Sequence, residues 1–104
     1  MARPEALDPE EIESRLETLP GWHLEGGRLR RSFRFGNFVE AFGFMTQAAL
    51  HAEKLDHHPE WSNVYDRVDV ALVTHDVPGR DGPAITPLDF DLAARMNRIA
   101  PPPS

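Results

Sequence analysis

Residues 37–74 read NFVEAFGFMTQAALHAEKLDHHPEWSNVYDRVDVALVT, and the change of periodicity at Pro59 decides the fold. Before it, Asn37 and Glu40 have capping-box spacing and no proline interrupts the chain to Leu55, so the longest helix is expected there. Phe38, Phe42, Met45 and Ala49 form one apolar stripe, which Ala41, Phe44, Ala48, Ala52 and Leu55 widen beyond an ordinary amphipathic face. So wide a stripe predicts a second burial surface, between subunits. After Pro59, β-branched and aromatic residues predict strands over 61–65 and 68–74, joined by a tight turn at Asp66-Arg67. Alternation sends Val68, Val70 and Leu72 to one face, and Asp69, Ala71, Val73 and then His75 to the other.

Upstream, Asp8-Pro9-Glu10-Glu11 is a helix start, with Asp8 as cap and Ile12, Leu16 and Leu19 on one face. Pro20-Gly21 ends that helix. Residues 22–25 and 28–35 then predict a hairpin turning on Gly26-Gly27, with Leu29, Phe33 and Phe35 on its inner face. Downstream, Pro78, Gly79, Gly82 and Pro83 block regular structure, and Thr86-Pro87-Leu88-Asp89 opens a last helix with an apolar seam of Leu88, Leu92, Met96 and Ile99. The order α-β-β-α-β-β-α predicts a two-layer α+β domain, a four-stranded antiparallel sheet covered on one face by three helices. At this length one core is expected, over residues 1–100, with a mobile proline tail at 101–104.

Composition narrows the chemistry. With no cysteine among 104 residues, disulfides, thiolate nucleophiles and cysteine-based zinc sites are excluded. No apolar run approaches the roughly 20 residues of a membrane span, and the amino terminus lacks a signal peptide's apolar segment, so a cytoplasmic protein is expected. A net charge of -6 opposes binding to phosphate backbones. Arg28, Arg30, Arg31 and Arg34 are the local exception. Because alternation turns the phenylalanines inward and most of these arginines to water, they read as a solvated hairpin face and no nucleic-acid partner is expected.

His57, His58 and His75 are three of the five histidines, placed at a helix-to-strand corner and just past a hairpin. Imidazole exchanges protons near neutrality without special burial. If the long helix persists to Asp56, Glu53 and His57 stack one turn apart at its carboxyl end. The plainer reading is surface histidines at element ends. A metal site is a third, disfavoured because adjacent His57 and His58 seldom grip one ion. His23 and His51 show no partner pattern.

The runs Glu53-Lys54-Leu55-Asp56-His57-His58-Pro59-Glu60-Trp61, Asn63-Val64-Tyr65-Asp66-Arg67-Val68-Asp69-Val70 and Thr74-His75-Asp76 together resemble the pterin-4a-carbinolamine dehydratase family, with similarity from Trp22 to Ile99. The resemblance implies a four-stranded antiparallel sheet with three helices. It implies a metal-free, cofactor-free enzyme that dehydrates 4a-hydroxytetrahydrobiopterin to quinonoid dihydropterin, recycling the cofactor of aromatic amino acid hydroxylases. Homodimers or homotetramers, and a functional link to such a hydroxylase, come with it. So does a second possibility, a non-catalytic protein-binding or assembly-chaperone member of the same fold. By motif position, His57 and His75 correspond to general acids and His58 to the main substrate-binding histidine, itself counted with the catalytic set. Glu53, Asp56, Pro59, Trp61, Thr74 and Asp89 correspond to the surrounding pocket. The loop before Asp89 is about five residues longer than the family's, at 80–84, and reads as hanging in solvent. That insertion makes the role of Asp89 less secure than those of the histidines.

Overall fold

The computed structural model describes residues 3–101. Helix α1 spans Pro9–Leu16, strand β1 His23–Glu25, β2 Arg28–Arg34, α2 Phe38–Leu55, β3 Glu60–Val64, β4 Arg67–Leu72 and α3 Pro87–Ile99. The strands form one antiparallel sheet in the order β1-β2-β4-β3, so two hairpins lie side by side with the longer strand of each inside. The expected α+β architecture is present. Of the expected tail, residues 102–104 lie outside the described residues, while the Pro101 carbonyl accepts from Arg31 at 3.2 Å.

The topology positions the site. In the β3/β4 register Glu60 faces Ala71 and Val64 faces Arg67, so the start of β3 and the end of β4 lie at the same end of the sheet. Residues just before β3 and just after β4 therefore emerge side by side. Arg67 stays in the ladder opposite both Val64 and Arg34, which moves the turn one residue earlier than expected, to Tyr65-Asp66. Tyr65 takes a left-handed backbone (φ 50), and Asn63 Nδ2 donates to the carbonyls of Tyr65 and Arg67, holding the turn from inside. The strand also stops short of Thr74. Thr74 instead exchanges both backbone hydrogen bonds with Ala84, at 3.0 and 2.9 Å, which pins the base of the long loop while 78–83 stay exposed.

Asn37 caps α2 by accepting from the Glu40 amide at 2.9 Å, but Glu40 returns to the Gly36 amide rather than to Asn37. The face that meets the sheet is Ala41, Phe44, Ala48 and Ala52, all buried. Small side chains let the helix axis approach the strands closely. The phenylalanine-rich stripe, Phe38 and Phe42 with Val39 and Leu50, faces outward. Phe33 lies at the centre of the core, 4.5 Å from Phe44 ring to ring and 5.9 Å from Trp22 edge-on. Arg31 departs from the solvated-arginine expectation, because its parity is that of Leu29 and Phe33. Its guanidinium is buried over the Phe33 ring at 4.0 Å and donates to Asn97 on α3.

Candidate active site at the sheet end

The corner between α2 and β3 is made by Asp56. It takes a left-handed backbone (φ 50, ψ 45) immediately after Leu55, and the His57 amide returns to the Ala52 carbonyl at 3.0 Å, the six-to-one closure of a Schellman motif. Glycine usually holds such a position, and aspartate is among the few side chains that tolerate it. Because the helix ends here, His57 does not continue the Glu53 face. It swings inward and is 5% exposed, whereas Glu53 pairs with His58 at 2.7 Å. The expected Glu53 and His57 stack is thus replaced by Glu53 and His58. The Asp56 carboxylate stays in solvent, near no histidine and 4.0 Å from Arg3.

His57 Nε2 lies 2.6 Å from Asp89 Oδ1, and Asp89 is wholly buried. Asp89 Oδ2 accepts the Thr74 hydroxyl at 2.8 Å and the Thr86 amide at 2.9 Å. Each hydroxyl has one proton to give. Since Thr74 spends its own on Asp89, the 2.8 Å contact between the two threonine oxygens must run from Thr86 to Thr74, and the Leu88 amide then donates to Thr86. Every member of the network is satisfied. An ionised carboxylate accepts only, so His57 donates Nε2–H to Asp89, which fixes the ring's tautomer and orientation. Thr74, expected among the substrate contacts, is 0% exposed and acts on Asp89 instead. Asp89 also closes the capping box of α3.

His75 lies past β4 with Nε2 3.5 Å from Glu60 Oε2, and Glu60 is only two residues beyond His58. All three imidazoles thus meet a carboxylate through Nε2: Asp89, Glu53 and Glu60. Glu60 is held in turn by Arg28, at 2.6 and 3.3 Å. That guanidinium keeps the Glu60 carboxyl below the usual carboxylate range, with burial opposing and His75 adding to the effect. A depressed carboxyl contributes stability above its unfolded value, about 4.3, and loses it as pH falls through the lower folded value. The pair is therefore intact at neutral pH.

His58 and His75 are open, at 60% and 66% exposed, while His57 is buried. Pro59 is half-buried at the corner, and Trp61 is half-buried against the core on the helix side of β3. A concavity of about 400 Å³ lies across the sheet, lined by His23, Arg30, Ser32, Ser62, Asp69 and also Glu60. None of the three site histidines lines it, but Glu60 and Trp61 both do and link the two places. Among the described residues, no group of three His, Asp or Glu side chains is arranged to hold a metal ion. Neither Glu60 nor Arg28 was expected among the site residues, and Arg28 read as part of a solvated hairpin face. Their signal was the strand register, which no local motif displays.

Fold and site define a small α+β protein with imidazoles, each on its own carboxylate, gathered at one end of an antiparallel sheet. Residues 5–99 match the family model described as pterin 4 alpha carbinolamine dehydratase, and the chain belongs to that family. A protein of Sinorhizobium fredii named "Putative pterin-4-alpha-carbinolamine dehydratase" is 55% identical over 94% of this chain and 90% of its own length. One of the same name from a Chelativorans species is 58% identical, covering 96% and 98%. A crystal structure titled as a transcriptional coactivator/pterin dehydratase from Brucella melitensis superimposes with a TM-score of 0.83 at 50% identity, covering 93% of this chain and 100% of that one.

Proposed function

We propose that this chain dehydrates a 4a-hydroxytetrahydropterin, 4a-hydroxytetrahydrobiopterin in the first instance, to the quinonoid dihydropterin and water. The observation that carries the reading is the buried Asp89, Thr74 and Thr86 network holding His57 beside the corner that bears His75. The leaving hydroxyl shares its carbon with a ring nitrogen, whose lone pair expels it once it is protonated. An imidazolium at His57 or His75 supplies that proton, and the ring nitrogen gives up its own to restore neutrality. Each such transfer is worth roughly 10² to 10⁴ in rate. Open and carboxylate-held, His58 suits binding of the polar edge of the heterocycle, with Glu53 orienting it. Trp61 and Pro59 stand at the same corner. The chemistry asks for no metal or cofactor, and the reading carries with it a cytoplasmic location and service to an aromatic amino acid hydroxylase.

The test is stopped-flow dehydration of 4a-hydroxytetrahydrobiopterin. The native chain is expected to accelerate it, and His57→Ala and His75→Ala singly to slow at least part of the substrate by about 10². Unchanged rates in both variants would remove the mechanism.

The outward stripe of α2 supports a second element. Val39 and Leu50 are 77% and 70% exposed, and Phe38 and Phe42 are exposed on the same helix; large apolar side chains grouped on one surface mark an interaction site. We read this face as the homodimer or homotetramer contact. The coactivator title of the Brucella melitensis protein makes a protein partner the alternative occupant. Sedimentation at micromolar concentration should show an oligomer that Phe42→Asp with Leu50→Asp converts to monomer. A native chain that is already monomeric there contradicts the contact.

A further inference from the structure

We propose that Arg3 is a positioning residue of the site, one guanidinium that ties the corner bearing His57 and His58 to the corner bearing His75. Its catalytic consequence rests on the dehydratase reading above, but its structural part stands without it. Arg3 Nη2 donates to the Asp56 carbonyl at 2.7 Å, and Nε donates to the Asp76 carboxylate at 3.0 Å. Asp56 immediately precedes His57 and Asp76 immediately follows His75. The two partners are 53 and 73 residues away along the chain, so this is a tertiary clamp and not a local turn.

Both corners need one. Asp56 sits in a left-handed conformation, which costs an L-residue about 1 kcal/mol or more, and its carbonyl lies at the negative end of α2. A cation on that carbonyl favours the conformation that sends His57 inward. On the other side, β4 ends at Leu72 and the Thr74 bridge to Ala84 is the last backbone pairing before His75. Neither His75 nor Asp76 is held by a ladder. A planar fork can satisfy a carbonyl and a carboxylate at once, which a lysine ammonium, as a point charge, matches poorly. The Arg3 side chain is only 28% exposed although both acids are open to water. Its guanidinium also holds the Asp76 carboxyl below the usual range, burial opposing, so the clamp is charged on both sides at neutral pH.

An ordinary exposed ion pair is worth about 0–1 kcal/mol and would leave the site indifferent. The clamp has a different signature, because small displacements of catalytic groups cost rate far out of proportion to stability. Two measurements on Arg3→Gln, with Arg3→Lys as the conservative variant, decide between them. Amide hydrogen exchange should accelerate at both 56–58 and 75–76 while the β4 amides stay protected. In the dehydration assay kcat/KM should fall about tenfold, with the thermal midpoint moving less than about 5 °C, and Arg3→Lys should restore little of it. Unchanged exchange, or acceleration at one corner only, overturns the clamp. Exchange that rises at both corners with kcat/KM unchanged overturns the positioning role. If the native chain shows no dehydration at all, the exchange result still decides the clamp, and the failure belongs to the functional reading.

Discussion

Asp89→Ala is expected to cost about 3–5 kcal/mol of folding stability, because it strips a buried, fully partnered carboxylate from three donors that have nowhere else to turn. The His57 Nε2–H, the Thr74 hydroxyl and the Thr86 amide would all be left facing a void, and α3 would lose half its capping box. Dehydratase activity should fall with it, but an unstable variant cannot separate fold from chemistry. Asp89→Asn can. The asparagine carbonyl can still take Thr74 and Thr86, which keeps most of the stability, yet its NH₂ must then point at His57 Nε2. A donor there requires the ring to accept, so His57 is forced into the opposite tautomer, with its proton on Nδ1. The expectation is a loss of about 1–2 kcal/mol in urea unfolding together with a drop of about 10² or more in rate on the substrate that His57 serves. Full activity in a folded Asp89→Asn protein would mean that the network supports only the helix.

How far the sequence announced this arrangement depends on the range of the interaction concerned. Periodicity and caps act within a few residues, and they located all seven elements and the inward parity of Val68, Val70 and Leu72. They left open which part of the wide α2 stripe meets the sheet. Hydropathy rates Phe38 and Phe42 above Ala48 and Ala52, but a helix lying flat on strands is admitted by small side chains, so the less hydrophobic face went inside. The turn was misplaced by one residue because Arg67 has strand partners on both sides, a fact of register rather than of turn propensity.

At the site, the same distinction sorts the residues. His57, His58 and His75 stood out as an unusual concentration of one side chain. Pairing Glu53 with His57 assumed an unbroken helix, and the left-handed Asp56 broke it one residue too soon. The long loop cast doubt on Asp89, yet the Thr74 and Ala84 bridge closes that loop at its base, so its length does not reach the carboxylate. Glu60 meets His75 across two strands, and Arg3 meets Asp56 and Asp76 from the other end of the chain. No spacing rule connects residues so far apart.

The largest expected loss of rate belongs to His57→Ala combined with His75→Ala. The carbon that loses hydroxide is stereogenic, so the leaving group can stand on either face of a flat ring, and one fixed acid reaches only one face. His57 is buried on Asp89 while His75 is open on Glu60, and the two rings come from different corners, an arrangement suited to approaching a heterocycle from two sides. With a mixture of both substrate stereoisomers, each single variant should give a biphasic decay, one portion near the native rate and the other slowed by about 10² or more. The fast portion of one variant should be the slow portion of the other. In the double variant the whole substrate should be slowed, by up to about 10⁴. If both single variants instead slow all of the substrate and the double adds nothing, the imidazoles act as one unit on one face, since groups that work together show such non-additivity. Native decay in the double variant would leave neither histidine a part in the chemistry.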